Sequence, residues 1–136
     1  MTDALVDTSV AVASILAGHE AHGATLDALG ARTLGLAGHA WFETFSVLTR
    51  LPAPTRRRPE EVARILTHNF PGTIFLDPTA SAELARRLPE AGVSGGAVYD
   101  ALVGAAAASV GLTLISRDRR ATYTYRAVGA SVELLD

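Results

Sequence analysis

Residues 97–118 read AVYDALVGAAAASVGLTLISRD, and the order of residue types within them decides the fold. Positions 97–110 are small or apolar at nearly every step, with Asp100 the one charge, and predict a helix. Gly111 stands where helices often end in a left-handed residue. The run 112–116 (LTLIS) then has the length and composition of a buried strand, with Asp118 just past its carboxyl end. Helix, glycine, strand and acid form one unit of a parallel α/β chain, and the same alternation extends outward in both directions. Further strands are expected at 4–7 (ALVD), 34–37 (LGLA), 73–77 (TIFLD) and 131–135 (SVELL). Helical patterns lie between them at about 9–16, 20–30, 39–50, 59–68, 79–90 and 119–128. Pro59 followed by Glu60 and Glu61, and Asp77 followed by Pro78, mark helix starts. The expected fold is α/β, with a central, mostly parallel five-stranded sheet covered by helices on both faces. There is no internal repeat, and the loop-like segment 51–59 (LPAPTRRRP) reads as a connection inside one domain spanning 1–136. In such sheets ligands bind beyond the carboxyl ends of the strands, where the strand order reverses.

Composition narrows the chemistry. The chain has 136 residues, 49% of them hydrophobic, which is enough for one packed core. All twelve basic residues are arginine, and there is no cysteine. Lysine Schiff bases, the phosphate-binding P-loop lysine, thiol nucleophiles, disulfides and cysteine-bound zinc are therefore excluded. No run approaches the roughly 18 apolar residues of a membrane span. Asp3 stands where a signal peptide would carry positive charge, so a soluble, cytoplasmic protein with no membrane partner is expected. The formal charge of −2 gives no overall basic footprint.

Carboxylates remain, and several stand alone. Asp7 is the only charge between Asp3 and Glu20, Glu43 the only one between Arg32 and Arg50, and Asp100 the only one between Glu90 and Arg117. An ionised acid in such apolar surroundings is costly unless it is paired or bound to a cation. Each also has a plainer reading. Asp7 and Asp118 can cap helices, Glu43 can be a buried acid among Trp41, Phe42 and Phe45, and the Gly-Ala face beside Asp100 can pack closely on another helix. Together, two acids at strand ends (Asp7, Asp118) and two on helices (Glu43, Asp100) can converge at one sheet edge. An all-oxygen set of this kind points to Mg²⁺ or Mn²⁺ over zinc.

Leu5-Val6-Asp7-Thr8-Ser9, Glu43 in its aromatic helix, Tyr99-Asp100-Ala101-Leu102, and Ser116-Arg117-Asp118-Arg119-Arg120 resemble the successive motifs of PIN-domain ribonucleases. The small single-domain form is similar to VapC-type toxins of bacterial toxin–antitoxin pairs. The resemblance implies a three-layer α/β/α fold and a Mg²⁺- or Mn²⁺-dependent endoribonuclease that inhibits translation or growth until a small VapB-like antitoxin neutralises it. It implies Asp7, Glu43, Asp100 and Asp118 as catalytic acids, with Asp7, Asp100 and Asp118 on the metal and Thr8, Ser9 and Ser116 as hydroxyl contacts. It also implies an RNA substrate cut to 5′-phosphate and 3′-hydroxyl ends, and a homodimer, for which the apolar helices at 9–16 and 39–50 are the places to look.

Arg117, Arg119 and Arg120 are the candidate phosphate contacts. Arg56, Arg57 and Arg58 are either a second set or a solvated loop. His19 and His22 have a spacing that suits a metal, but no convincing third ligand accompanies them, and they read as surface residues. Haloacid-dehalogenase-like phosphatases also open on a strand and an aspartate. They need a second aspartate where Ser9 stands, and a lysine. The alternative of another class is a catalytically silent PIN-like module that binds RNA or protein.

Overall fold

Three of the four strands in the computed structural model, which describes residues 1–136, are buried at every position. They are β1 (Ala4–Val6), β2 (Leu34–Leu36) and β3 (Leu114–Ser116), and with β4 (Val132–Leu134) they make one parallel sheet in the order β2-β1-β3-β4. Continuous burial explains why these runs are apolar throughout and do not alternate. β1 pairs with β2 through Leu5 opposite Gly35, and with β3 through Leu5 opposite Leu114. Strand order therefore reverses at β1, which places a crevice beyond the carboxyl ends of β1 and β3.

Seven helices cover the sheet: α1 (Thr8–Ile15), α2 (His22–Leu29), α3 (Ala40–Thr49), α4 (Pro59–Asn69), α5 (Pro78–Arg87), α6 (Ala97–Val110) and α7 (Thr122–Ala127). α1 packs on α2 and α3, and α3 on α4, while α6 lies between α5 and α7. These are the two outer layers of an α/β/α sandwich. One core of 22 buried residues, among them Leu5, Val10, Leu36, Leu48, Leu66, Val103 and Ile115, joins the sheet to both. Arg32, just past α2, makes hydrogen bonds of 2.9 and 3.2 Å to Glu133 of β4. That pairing holds the Glu133 carboxyl below its usual range. No helix is long and apolar enough to cross a membrane.

The expected fifth strand does not form. In TIFLD only Ile74 bridges to the β2 edge, at Ala37, and the sheet has four strands. Pro71 brings no N–H to that edge, and the Leu36 N–H is taken by the Thr73 hydroxyl at 3.0 Å. α7 starts at Thr122, later than expected, because the Ala121 N–H is taken by both the carbonyl and the carboxylate of Asp118 in a turn. α5 ends at Arg87, where Pro89 prevents further helix. Two expected caps are present: Asp77 accepts from the Ala80 N–H, and left-handed Gly111 closes α6.

Close packing accounts for part of the small-residue face of α6. A Cβ on Gly104 would sit 2.8 Å from Val128 Cγ2 and 2.9 Å from Tyr125 Cα. Gly104→Val is therefore expected to destabilise the chain by about 1–3 kcal/mol, by forcing α6 and α7 apart. A urea unfolding midpoint equal to that of the parent chain would contradict the close approach.

Candidate active site

The carboxyl end of β1 delivers Asp7 into the crevice, and the adjacent carboxyl end of β3 delivers Ser116 and, two residues on, Asp118. Glu43 and Asp100 arrive from helices, each the fourth residue of its own, α3 and α6. First-turn positions favour a carboxylate through the helix dipole.

Asp7 is 2% exposed and fully coordinated by the chain itself. Its Oδ1 accepts from the Ser9 hydroxyl at 2.6 Å and the Val10 N–H at 3.2 Å. Its Oδ2 accepts from the Ser116 hydroxyl at 2.6 Å and the Tyr125 hydroxyl at 2.8 Å. Those four donors match the acceptor capacity of a carboxylate, so a cation ligated by Asp7 would exchange with one of them. The capping role open to Asp7 in the sequence is thus realised, and three hydroxyls are added to it.

The wiring continues outward. Ser116 also accepts the Asp118 N–H at 2.9 Å, and Ser9 accepts the Arg117 N–H at 2.8 Å, which ties the turn after β3 to the start of α1. Thr8 donates to Glu43 at 3.4 Å. All three hydroxyls singled out in the sequence therefore contact carboxylates of the quartet.

Burial, and after it mutual repulsion, marks the site electrostatically. Burial, aided by the charges of Asp100 and Asp7, pushes the Glu43 carboxyl up, against the pull of His39 and the Thr8 hydroxyl. Asp100 is raised by burial first, then by Asp118 and Asp7, against the opposing pull of Arg120. Asp100 has no hydrogen-bond or ion-pair partner of its own. Arg120 is the one arginine beside it, lining a cleft of about 510 Å³ with Glu43, Asp100, Tyr99 and Thr124 and lying 3.7 Å from Asp118. The other two arginines expected near phosphate turn elsewhere. Arg117 reaches the Asp136 carbonyl at 3.2 Å, and Arg119 the Asp136 carboxylate at 3.8 Å. Arg56 bonds to the Leu51 carbonyl, while Arg57 and Arg58 pair with Glu61 and Glu60, as a solvated loop would. His19 and His22 bond to local backbone and stay out of the crevice.

The donor set suits a hard divalent cation: four carboxylates, hydroxyls and one opposing guanidinium, with two of the acids raised by burial and mutual charge. No three of the chain's acids or histidines stand together as a ready-made metal cage.

Tyr125 is the residue that sequence reasoning missed. A buried tyrosine needs a hydrogen-bond partner, and that is the one signal for it in the sequence. Burial and the neighbouring Asp7 push its hydroxyl far up, so it stays a donor. Tyr125→Phe is expected to slow the reaction of the site about 10- to 100-fold by freeing one Asp7 oxygen, with the fold intact. A steady-state assay checks this, and unchanged turnover would reduce Tyr125 to core packing.

Comparison with known proteins follows the same lines. A model of the PIN domain matches residues 4–127. Ribonuclease VapC27 of Mycobacterium tuberculosis (strain ATCC 25618 / H37Rv) is 44% identical over 127 residues, covering 93% of each chain. Ribonuclease VapC40 of the same strain is 44% identical over 133 residues, covering 95% of this chain and 96% of the relative. Among solved structures, DNA-bound VapBC from Salmonella typhimurium is similar with a TM-score of 0.69 at 19% identity, covering 98% of both chains. FitAcB from Neisseria gonorrhoeae is similar with a TM-score of 0.68 at 21% identity, covering 94% of both. At those identities the structures speak to the fold alone.

Proposed function

The chain belongs to the PIN-domain family, and from that premise we propose that it is a divalent-metal-dependent endoribonuclease, the toxin of a toxin–antitoxin pair. What supports this reading is that Glu43 feels the charges of Asp100 and Asp7, and Asp100 those of Asp118 and Asp7, beside the switch-point crevice, with Thr8 bonded to Glu43 and Ser9 and Ser116 to Asp7. Asp7, Asp100 and Asp118, with Glu43 beside them, would hold Mg²⁺ or Mn²⁺. When bound, the cation supplies Lewis acidity at the phosphate and a readily ionised water.

The chain's own groups do the rest. Ser9, Val10, Ser116 and Tyr125 hold the Asp7 carboxylate in one orientation, and the donors left after a cation takes one place keep it there. Thr8 orients Glu43, whose raised carboxyl is suited to accepting a proton from an attacking water and releasing it. Arg120, exposed at the cleft mouth, is placed to meet a backbone phosphate. The same excess of acid that repels RNA without a cation would attract a basic side chain of an antitoxin, which gives inhibition a physical basis.

Expression alone and together with the product of a small adjacent reading frame tests the proposal. Growth arrest and RNA ends carrying 5′-phosphate are expected from the chain alone, with both suppressed by the partner. Normal growth and intact RNA on expression of the chain alone would overturn it.

A further inference from the structure

Beside the acidic cleft lies a second cavity of about 560 Å³, and apart from Thr8 and Glu43 the mechanism makes no use of its walls. His39, Phe42 and Tyr99 form one side, while Glu43 and Thr8 connect it to the carboxylates. Glu43 and Tyr99 line both spaces, so the two adjoin. The aromatic side is open to solvent: Phe42 is 55% exposed and Tyr99 53%. The rings are already arranged around each other. His39 stacks on Tyr99 with centroids 5.2 Å apart and planes at 22°, and Phe42 is tilted against His39 at 6.4 Å. At the far end Arg50 lines the cavity with no carboxylate partner among the chain's ion pairs.

Three features bear on what such a cavity holds. Exposed aromatic rings on a mainly apolar wall that also carries Ser46, Glu43 and Arg50 suit a flat, π-rich group with polar edges better than an aliphatic side chain. An unpaired arginine at the rim supplies the charge for one phosphate. Glu43 and Tyr99, shared with the acidic cleft, put the occupant next to the group acted on.

We propose that this cavity is a stacking subsite for one unpaired nucleobase of the RNA strand, with the base against Tyr99 and Phe42 and its flanking phosphate toward Arg50. The proposal rests on the ribonuclease reading and adds to it the requirement for an unstacked base next to the cleavage position. Proteins take single-stranded bases on aromatic faces in this way with little dependence on base identity. The cleavage site is therefore selected by strand conformation at this position.

The test uses the 136-residue chain carrying Asp100→Asn and a short single-stranded RNA with one 2-aminopurine, in Mg²⁺. Stacking quenches the probe's fluorescence. Tyr99→Ala and Phe42→Ala are each expected to weaken binding about tenfold and to reduce the quench. Tyr99→Phe, which keeps a ring, retains both. Arg50→Ala lowers the slope of log affinity against log salt by about one. Both truncated side chains are exposed, so the fold is expected to survive, and a circular dichroism spectrum checks it. Quench and affinity unchanged in Tyr99→Ala and Phe42→Ala would overturn the subsite. So would loss of a homodimer in sedimentation with RNA affinity unchanged, because the rings would then meet a second copy of the chain. Failure of the ribonuclease reading looks different: the parent chain cuts no RNA in Mg²⁺, whatever the ring variants bind.

Discussion

Asp100→Asn is expected to lower RNA cleavage by about two to three orders of magnitude, the scale on which loss of one preorganised charge-stabilising group is felt. Asparagine keeps the shape of the side chain and removes only its charge. That charge is one the folded chain holds at a disadvantage, since burial, Asp118 and Asp7 all push the carboxyl up. No partner is stranded by the change. The thermal midpoint in metal-free buffer is therefore expected to hold or rise while activity falls, the opposite pairing to that of a structural acid. Asp7→Asn gives the contrasting result. It loses activity as well, but it disturbs a carboxylate with four donors and lowers the melting point. Cleavage rates and melting curves of the two variants, taken together, check the assignment. Full activity in Asp100→Asn removes that residue from the reaction.

A divalent cation is expected to stabilise the chain strongly at neutral pH and weakly in acid. The ordinary values of Glu43 and Asp100 are 4.5 and 3.8, and the folded chain raises both. The folded state thus keeps protons that the unfolded chain has released. The resulting stabilisation is fully present below the ordinary values and is lost as pH rises through the raised ones. In EDTA the chain therefore loses stability across that window, and Asp100→Asn loses less. At neutral pH the ionised acids attract a cation. Mg²⁺ or Mn²⁺ at a hundred times its dissociation constant adds about 2.7 kcal/mol, or about 5–10 °C in melting temperature. Below the window, where protons occupy the acids, the shift shrinks. A melting temperature indifferent to both ions at neutral pH contradicts the assignment of these acids as ligands.

What could be read from the sequence follows from which forces are local. Helix starts at Pro59 and Asp77 and the stop at Gly111 depend on a few neighbouring residues, and they are where expected. The first three strands of the sheet are short, mostly apolar and followed by helices, so their parallel arrangement was legible too. TIFLD looked the same by composition, but whether it pairs depends on Pro71 and on the Thr73 hydroxyl taking the Leu36 N–H, a contact across 37 positions. The isolated charges Asp7, Glu43 and Asp100 pointed to the site because a lone acid in apolar sequence needs a reason. The division of labour among arginines was not legible, since Arg117, Arg119 and Arg120 are equivalent on paper and are separated only by where Asp136 and the cleft lie. Tyr125 was hidden because its partner, Asp7, is 118 positions away.

Cleavage of RNA by the purified 136-residue chain in Mg²⁺, followed by addition of EDTA and then of excess Mg²⁺, tests the metal-dependent reaction most directly. Discrete fragments bearing 5′-phosphate ends, arrest of cleavage by EDTA, and recovery on return of the ion are expected. Cleavage that continues unchanged in EDTA would contradict the carboxylate-held metal. Intact RNA throughout would contradict the ribonuclease reading and leave a module that binds without cutting.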